Sequence, residues 1–216
     1  MNKGAIGFSL IGSVMTIVFL GIVNMLTSPD TIWFIIPSFF LLLWPGALLF
    51  AFNRQYKLFS LFGSILFISF LISNNYLYSP ETPWFLYAIY PVIWWPIAMY
   101  AGKRAATFSF AVVASLCTIM YYSVLNMLLS PQHLWAIFPA FAVLWWPLSI
   151  YFAQRRQFFQ MSVAASFMSV VFFVTVNAVF TPGTIWAVYP IFGLLWWPLS
   201  MHYFYDRKKR SNSTDA

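Results

Sequence analysis

The sequence predicts an all-α integral membrane protein with eight transmembrane helices, built as four helical-hairpin repeats of 51 residues that all point the same way. Three observations carry this prediction: a composition that only lipid can solvate, a strict internal period, and cations confined to one end of the repeat.

Hydrophobic residues make up 62% of the 216 residues and charged residues only 7%. A soluble domain carries roughly a quarter charged residues, so most of this surface must face lipid. Backbone groups in hydrocarbon have to pair within the protein, which leaves helices or a closed barrel. The apolar runs are about 20 residues or longer, unlike the alternating segments of about ten residues that build barrels. Helices therefore follow. The first run, near Ala5 to Leu26, invites a signal-peptide reading. It lacks a small-residue cleavage site and has equivalents 51, 102 and 153 residues later, so it reads as a retained span.

The period is exact. Asn24, Asn75, Asn126 and Asn177 are 51 residues apart, as are Ser28-Pro29, Ser79-Pro80, Ser130-Pro131 and Thr181-Pro182. Trp33, Trp84, Trp135 and Trp186 keep the step, and so do Trp44-Pro45, Trp95-Pro96, Trp146-Pro147 and Trp197-Pro198. One structural unit used four times explains this. The hairpins are expected at 1–53, 54–104, 105–155 and 156–206, followed by a basic and then polar tail at 207–216. Odd spans fall near 5–27, 57–78, 106–129 and 158–180; even spans fall near 29–52, 80–101, 131–152 and 182–205.

The turn into each even helix reads as a capped start. Ser28, Ser79, Ser130 and Thr181 suit an N-cap, the proline that follows suits the first helical position, and Asp30 and Glu81 would lie in the first turn. All 11 cations sit at the other end: Lys3, Arg54, Lys57, Lys103, Arg104, Arg155, Arg156, Arg207, Lys208, Lys209 and Arg210. The positive-inside rule makes that end cytoplasmic, with both termini inside a cell membrane. The net charge of +7 then belongs to one face. Anionic lipid headgroups are its expected partners, and nucleic acid is not. The tail from Ser211 is expected to be disordered. Two spans per unit make the repeats parallel about an axis along the membrane normal. A ring and a sequential stack are both compatible with that.

Apart from Asp30, Lys57 and Glu81 at the very start of their spans, no Asp, Glu, Lys or Arg falls inside a predicted span. Coupled pumps usually carry such a group. The lone Cys117, with His133 and His202 far apart, offers no metal set, and no nucleotide or phosphate motif is present. Neither a cofactor nor an enzymatic activity is expected. What recurs within the spans is uncharged: Ser13, Ser64, Ser115 and Ser166, each preceded by Gly12, Gly63, Ala114 or Ala165, with Ser9, Ser60, Ala111 and Ser162 one turn earlier. Ser13 and Asn24 are three helical turns apart and share a face. The stripe reads as close helix packing with asparagine bonding across helices. The alternative is a polar path lined by four copies, as in a passive channel or facilitator.

The even helices carry prolines. Pro37 recurs as Pro139 and Pro190, whereas the second copy has Ala88 and places Pro91 three residues later. A proline inside a helix deprives the carbonyl four residues before it of a donor. In the first copy those carbonyls belong to Trp33 and Leu41, and the Asn24 amide is expected to pair with that of Trp33. Trp33, Trp84, Trp135 and Trp186 are candidate aromatic contacts near the interface. The deeper pairs Trp94-Trp95, Trp145-Trp146 and Trp196-Trp197 fit packing, or a cage for a quaternary ammonium.

The pattern of Asn, a short polar turn and Trp-x-x-x-Pro-x-x-Gly resembles the bacterial 2TM domain family, a two-helix membrane hairpin also found fused to signalling proteins. Asn177, Trp186, Pro190 and Gly193 match it; the first and third copies keep Asn24, Trp33, Pro37 and Asn126, Trp135, Pro139. The glycine is replaced by Phe40 and Ala142 there, and the second copy departs at Ala88 and around Tyr90–Val92. The family's second tryptophan and the histidine after it do not align. The resemblance implies a sensory or regulatory hairpin module with no catalytic residue. The function expected is therefore binding of a lipid, an apolar compound or a partner's transmembrane segment, in a sensor, accessory or immunity-like role.

Overall fold

The computed structural model describes the backbone of residues 3–214 and the side chains of residues 4–204. Its described residues form eight α-helices and one short 3-10 helix, Gly102–Ala106, with no strand. The α-helices are α1 (Lys3–Thr27), α2 (Ile35–Phe52), α3 (Tyr56–Tyr78), α4 (Phe85–Ala101), α5 (Phe108–Leu129), α6 (Ile137–Gln154), α7 (Phe158–Phe180) and α8 (Val188–Thr214). Seven of them, α1 to α7, are long and apolar enough to cross a membrane. Two compact units divide the chain, one ending at Gly102 and the other beginning at Lys103. In the first, α1 packs on α2, α2 on α3 and α3 on α4; in the second, α5 packs on α6, α6 on α7 and α7 on α8.

The odd helices lie where the apolar runs place them. The even helices start five or six residues later than expected, at Ile35, Phe85, Ile137 and Val188. The expected capped start is instead a β-turn. Thr31, Thr82, His133 and Thr184 each donate their backbone N–H to the carbonyl three residues earlier, on Ser28, Ser79, Ser130 and Thr181. Proline at the second position of such a turn is preferred because its fixed φ matches. The hydroxyl residues therefore end the odd helices: Ser79, Ser130 and Thr181 are C-caps whose N–H groups bond to Asn75, Asn126 and Asn177. Asp30 and Glu81 lie in the turn and not in a helix's first turn.

This shift also changes the role of Pro37, Pro139 and Pro190. Each is the third residue of its helix, where the N–H would have no helical partner anyway. They free no carbonyl: those of Trp33, Trp135 and Trp186 accept from Ile36, Phe138 and Tyr189 at 3.1–3.3 Å. At the far end, α8 continues through Thr214, where a disordered tail was expected from Ser211. Residues 205–214 contain neither glycine nor proline, so nothing in the sequence stops the helix. The side chains of Lys3, Arg207, Lys208, Lys209 and Arg210 lie outside the described residues.

Two kinds of helix contact alternate within each unit. Inside a hairpin, enclosed serines and small residues sit beside tryptophan contacts, as described below. Between hairpins the contact is phenylalanine on phenylalanine. Phe39 of α2 stacks on Phe70 of α3 with centroids 4.8 Å apart, and Phe141 of α6 stacks on Phe172 of α7 at 4.0 Å. Phe50 meets Phe59 at 6.0 Å further along the α2–α3 contact. Gly46 is buried there, and a Cβ on it would run into the Phe62 ring.

Candidate functional site

Burial in this protein is inverted relative to a soluble one. The buried polar side chains are Ser9, Ser13, Asn24, Ser60, Ser64, Asn75, Ser115, Asn126, Ser162, Ser166, Ser169 and Asn177, all at most 8% exposed. Large apolar residues, including Phe8, Phe19, Phe167 and Phe192, are mostly exposed. Removing a hydroxyl or amide from water costs several kcal/mol unless it is hydrogen-bonded, so the partners of these groups decide what the stripe does.

Each asparagine uses its whole amide. Asn24 donates through Nδ2 to the carbonyls of Ser28 (2.8 Å) and Thr31 (2.7 Å), and its Oδ1 accepts from the Phe34 N–H (3.1 Å). Asn75 makes the same three bonds with Ser79, Thr82 and Phe85. So does Asn126 with Ser130, His133 and Ala136, and Asn177 with Thr181, Thr184 and Ala187. Turning the amide over would set oxygen against two carbonyls and nitrogen against an N–H, so the network fixes its orientation. The asparagine latches the β-turn to the start of the next helix. The expected partner, the Trp33 carbonyl, is not the one it takes, because that carbonyl already serves the first helical turn.

The serines complete the second half. A proline in mid-helix does free a carbonyl, and here Pro45, Pro96, Pro147 and Pro198 lie inside α2, α4, α6 and α8. The carbonyls four residues before them accept from the repeated serines of the preceding helix: Ser13 to Leu41 (2.7 Å), Ser64 to Val92 (3.2 Å), Ser115 to Val143 (3.1 Å) and Ser166 to Leu194 (3.3 Å). One turn earlier, Ser9, Ser60 and Ser162 are fully buried and bond to their own helix at Ile6, Lys57 and Phe159. Among the described residues no buried side-chain nitrogen or oxygen lacks a partner.

Trp33, Trp84, Trp135 and Trp186 are half-buried beside the latched turns. Trp135 meets Tyr122 edge-on at 6.0 Å and Trp186 meets Phe173 at 6.1 Å; the Trp186 indole N–H donates to Thr181 Oγ1 at 2.6 Å. Deeper, Trp95 meets Phe59 edge-on at 5.7 Å and covers Gly63 so closely that a Cβ there would lie 2.7 Å from its ring. Trp145 stacks on Trp197 at 6.4 Å. A cavity of about 320 Å³ opens beside the third latch, between Ser123, Asn126, Met127, Leu134, Ile137 and Ala140. Its lining is mostly apolar.

At the opposite end the described cations are all exposed. In the first unit Arg54, Lys57, Tyr56, Met99 and Tyr100 line a recess of about 470 Å³, and the Lys57 ammonium sits 5.5 Å from the Tyr100 ring centroid. In the second unit Arg155 stacks over Tyr151 at 4.0 Å and donates to its hydroxyl. Arg54 and Arg156 both have φ of 54°, the left-handed conformation usual for glycine after a helix. Lys103 and Arg104 lie in the 3-10 helix Gly102–Ala106. Asp30 and Glu81, the acids among residues with described side chains, lie in the asparagine turns, and 18-residue α2 separates Asp30 from Arg54.

Tyr100 and Tyr151 were not singled out by the sequence. Their only signal is that they share the 51-residue step and lie a few residues from the cations. Among the described residues no group of three His, Cys, Asp or Glu is placed to hold a metal ion. Known protein families, curated proteins and solved structures offer no match to this chain, so the likeness to the 2TM hairpin rests on the residues quoted for it.

Proposed function

We propose that the chain is a non-enzymatic multi-pass membrane protein of four hairpins inserted the same way, which binds within the bilayer a lipid, an apolar compound or the transmembrane segment of a partner. Sensor, accessory and immunity-like roles all use such binding. The observation that carries this reading is the inverted burial: serines and asparagines are enclosed and internally bonded, while phenylalanine, tryptophan and aliphatic side chains make up the surface. In a bilayer such a surface is solvated by lipid tails, and close packing lets it hold an apolar partner. The apolar cavity beside Asn126 is a place for a lipid chain or a small apolar compound.

The asparagine turns face outward and both termini are cytoplasmic, as the positive-inside rule requires when the cations gather at the other end. Arg54, Lys57, Lys103, Arg104, Arg155, Arg156 and the 207–210 cluster then contact anionic headgroups. Tyr100 and Tyr151 beside Lys57 and Arg155 suit that interface, where an aromatic body lies in hydrocarbon and a hydroxyl in water.

The channel alternative needs the Ser/Asn stripe to offer free polar groups to a solute. Every asparagine amide in it is already spent on the backbone, which weighs against that alternative. The test is reconstitution in proteoliposomes together with native mass spectrometry after gentle solubilisation. The expected result is no flux of ions or small polar solutes and retention of bound lipid or apolar compound. Flux that is lost on Asn126→Leu would overturn the proposal.

A further inference from the structure

The first and the last helix of the chain carry the two halves of one interface. Where hairpins meet inside a unit, the even helix contributes Phe39 and Phe50 and the next odd helix contributes Phe70 and Phe59. The second unit repeats the first of these pairs as Phe141 on Phe172, 102 residues further on. Three periods after Phe39 and Phe50 come Phe192 and Tyr203 of α8; one period before Phe70 and Phe59 come Phe19 and Phe8 of α1. Within its unit α1 packs chiefly on α2 and α8 chiefly on α7, with Trp197 of α8 also meeting Trp145 of α6. The four aromatic rings are correspondingly bare: Phe192 is 67% exposed, Tyr203 59%, Phe19 61% and Phe8 73%.

We propose that this face of α8 docks on the α1 face of a second copy of the chain, pairing Phe192 with Phe19 and Tyr203 with Phe8 as Phe39 pairs with Phe70 and Phe50 with Phe59. The occupant follows from continuity with the interface already present. The matching aromatics are in register, and the helix directions also agree. α2 runs from its asparagine turn toward the cations and α3 runs back; α8 and α1 do the same. A second copy inserted with the same orientation therefore presents α1 antiparallel to α8, with its asparagine turns on the same side. Aromatic pairs favour stacked or edge-on contact beyond simple burial, and van der Waals packing is among the forces that drive helix association in lipid. The contact joins two different surfaces, so it is heterologous and builds a ring or a row of copies, not a self-limited two-fold pair.

This inference rests on the reading that the hairpins span the membrane in one orientation. It is tested by expressing two tagged chains together in a Cys117→Ala background, one carrying Phe19→Cys and the other Phe192→Cys, and oxidising intact membranes. The expected result is a disulfide-linked product containing both tags, at least tenfold more abundant than when Val14→Cys replaces Phe19→Cys. Single-molecule photobleaching of the otherwise unaltered chain, carrying one fluorophore per copy, should show two or more steps. Absence of the two-tag product with single-step bleaching would overturn the inference, whether lipid or the same chain covers these faces. If side-specific labelling still shows one orientation for all hairpins, that failure touches the docking contact alone.

Discussion

The Ser13 hydroxyl donates a 2.7 Å hydrogen bond to the carbonyl of Leu41, the carbonyl that Pro45 leaves without a donor in its own helix. The serine and the proline are thus one device split over two helices. The proline bends or loosens the helix and exposes a carbonyl; the serine on the neighbour closes it. Three further copies of the device bond at 3.1–3.3 Å. An unmatched carbonyl in hydrocarbon is costly, so each pair ties the two helices of a hairpin at one register.

Ser13→Ala should destabilise the first hairpin by about 1 kcal/mol, within the range measured for hydrogen bonds between transmembrane helices. In Pro45→Ala the restored N–H supplies the Leu41 carbonyl, so adding Ser13→Ala to it should cost much less. A double-mutant cycle on unfolding in mixed micelles measures the coupling, and strict additivity would contradict the pairing.

Asn75→Leu removes three bonds: the Phe85 N–H loses its acceptor, and the Ser79 and Thr82 carbonyls keep only their backbone donors, Thr82 and Trp84. A loss of roughly 2–3 kcal/mol is expected, in line with buried groups left unsatisfied. Asn75→Asp should cost a similar amount, because a carboxylate accepts from Phe85 but repels both carbonyls. Hydrogen exchange at the Phe85 amide should accelerate in both variants; unchanged protection would show that the latch is not needed.

Gly63 and Gly12 occupy the same place in successive copies but differ in surroundings. A Cβ on Gly63 meets the Trp95 ring at 2.7 Å, whereas one on Gly12 meets nothing within 4 Å. Gly63→Ala should therefore destabilise by about 1–3 kcal/mol, as overpacking does. Gly12→Ala should be neutral or mildly stabilising, because alanine is the better helix former. Equal effects in thermal unfolding would contradict this packing.

Arg54 and Arg156 close α2 and α6 in the left-handed conformation. The backbone N–H groups of Gln55 and Gln157 reach back to the carbonyls of Phe50 and Phe152 at 2.9 and 3.0 Å, the pattern that glycine normally completes. Arg54→Gly and Arg156→Gly should each raise stability by up to about 1 kcal/mol. Arg54→Gly should at the same time lower retention of phosphatidylglycerol relative to phosphatidylcholine in native mass spectra. A stability loss would show that the side chains hold the turns.

Much of this architecture was legible in the sequence, and the reasons differ by element. The odd helices were placed closely because an apolar run ends at a polar turn. The even helices were started too early because Ser28-Pro29 serves equally as a cap with a first helical residue or as the first half of a β-turn. Only the Asn24 amide, reaching Thr31 and Phe34, separates the two. Ser13 and the freed Leu41 carbonyl were both recognised, but their pairing depends on how α1 is rotated against α2, which a period does not reveal. The stacking of Phe39 on Phe70 was hidden by abundance: with 22% aromatic residues, no single ring stands out until a neighbour is seen.

In the proposed topology four hairpins enter the membrane the same way, with latched asparagine turns on one side and cations on the other. Side-specific thiol labelling decides this, using single cysteines in a Cys117→Ala background. Asp30→Cys, Glu81→Cys, His133→Cys and Gly183→Cys should all react with a membrane-impermeant maleimide from outside intact cells. Asn53→Cys, Lys103→Cys and Gln154→Cys should react only after the membrane is opened. Labelling of any two of the four asparagine turns from opposite sides would contradict this topology.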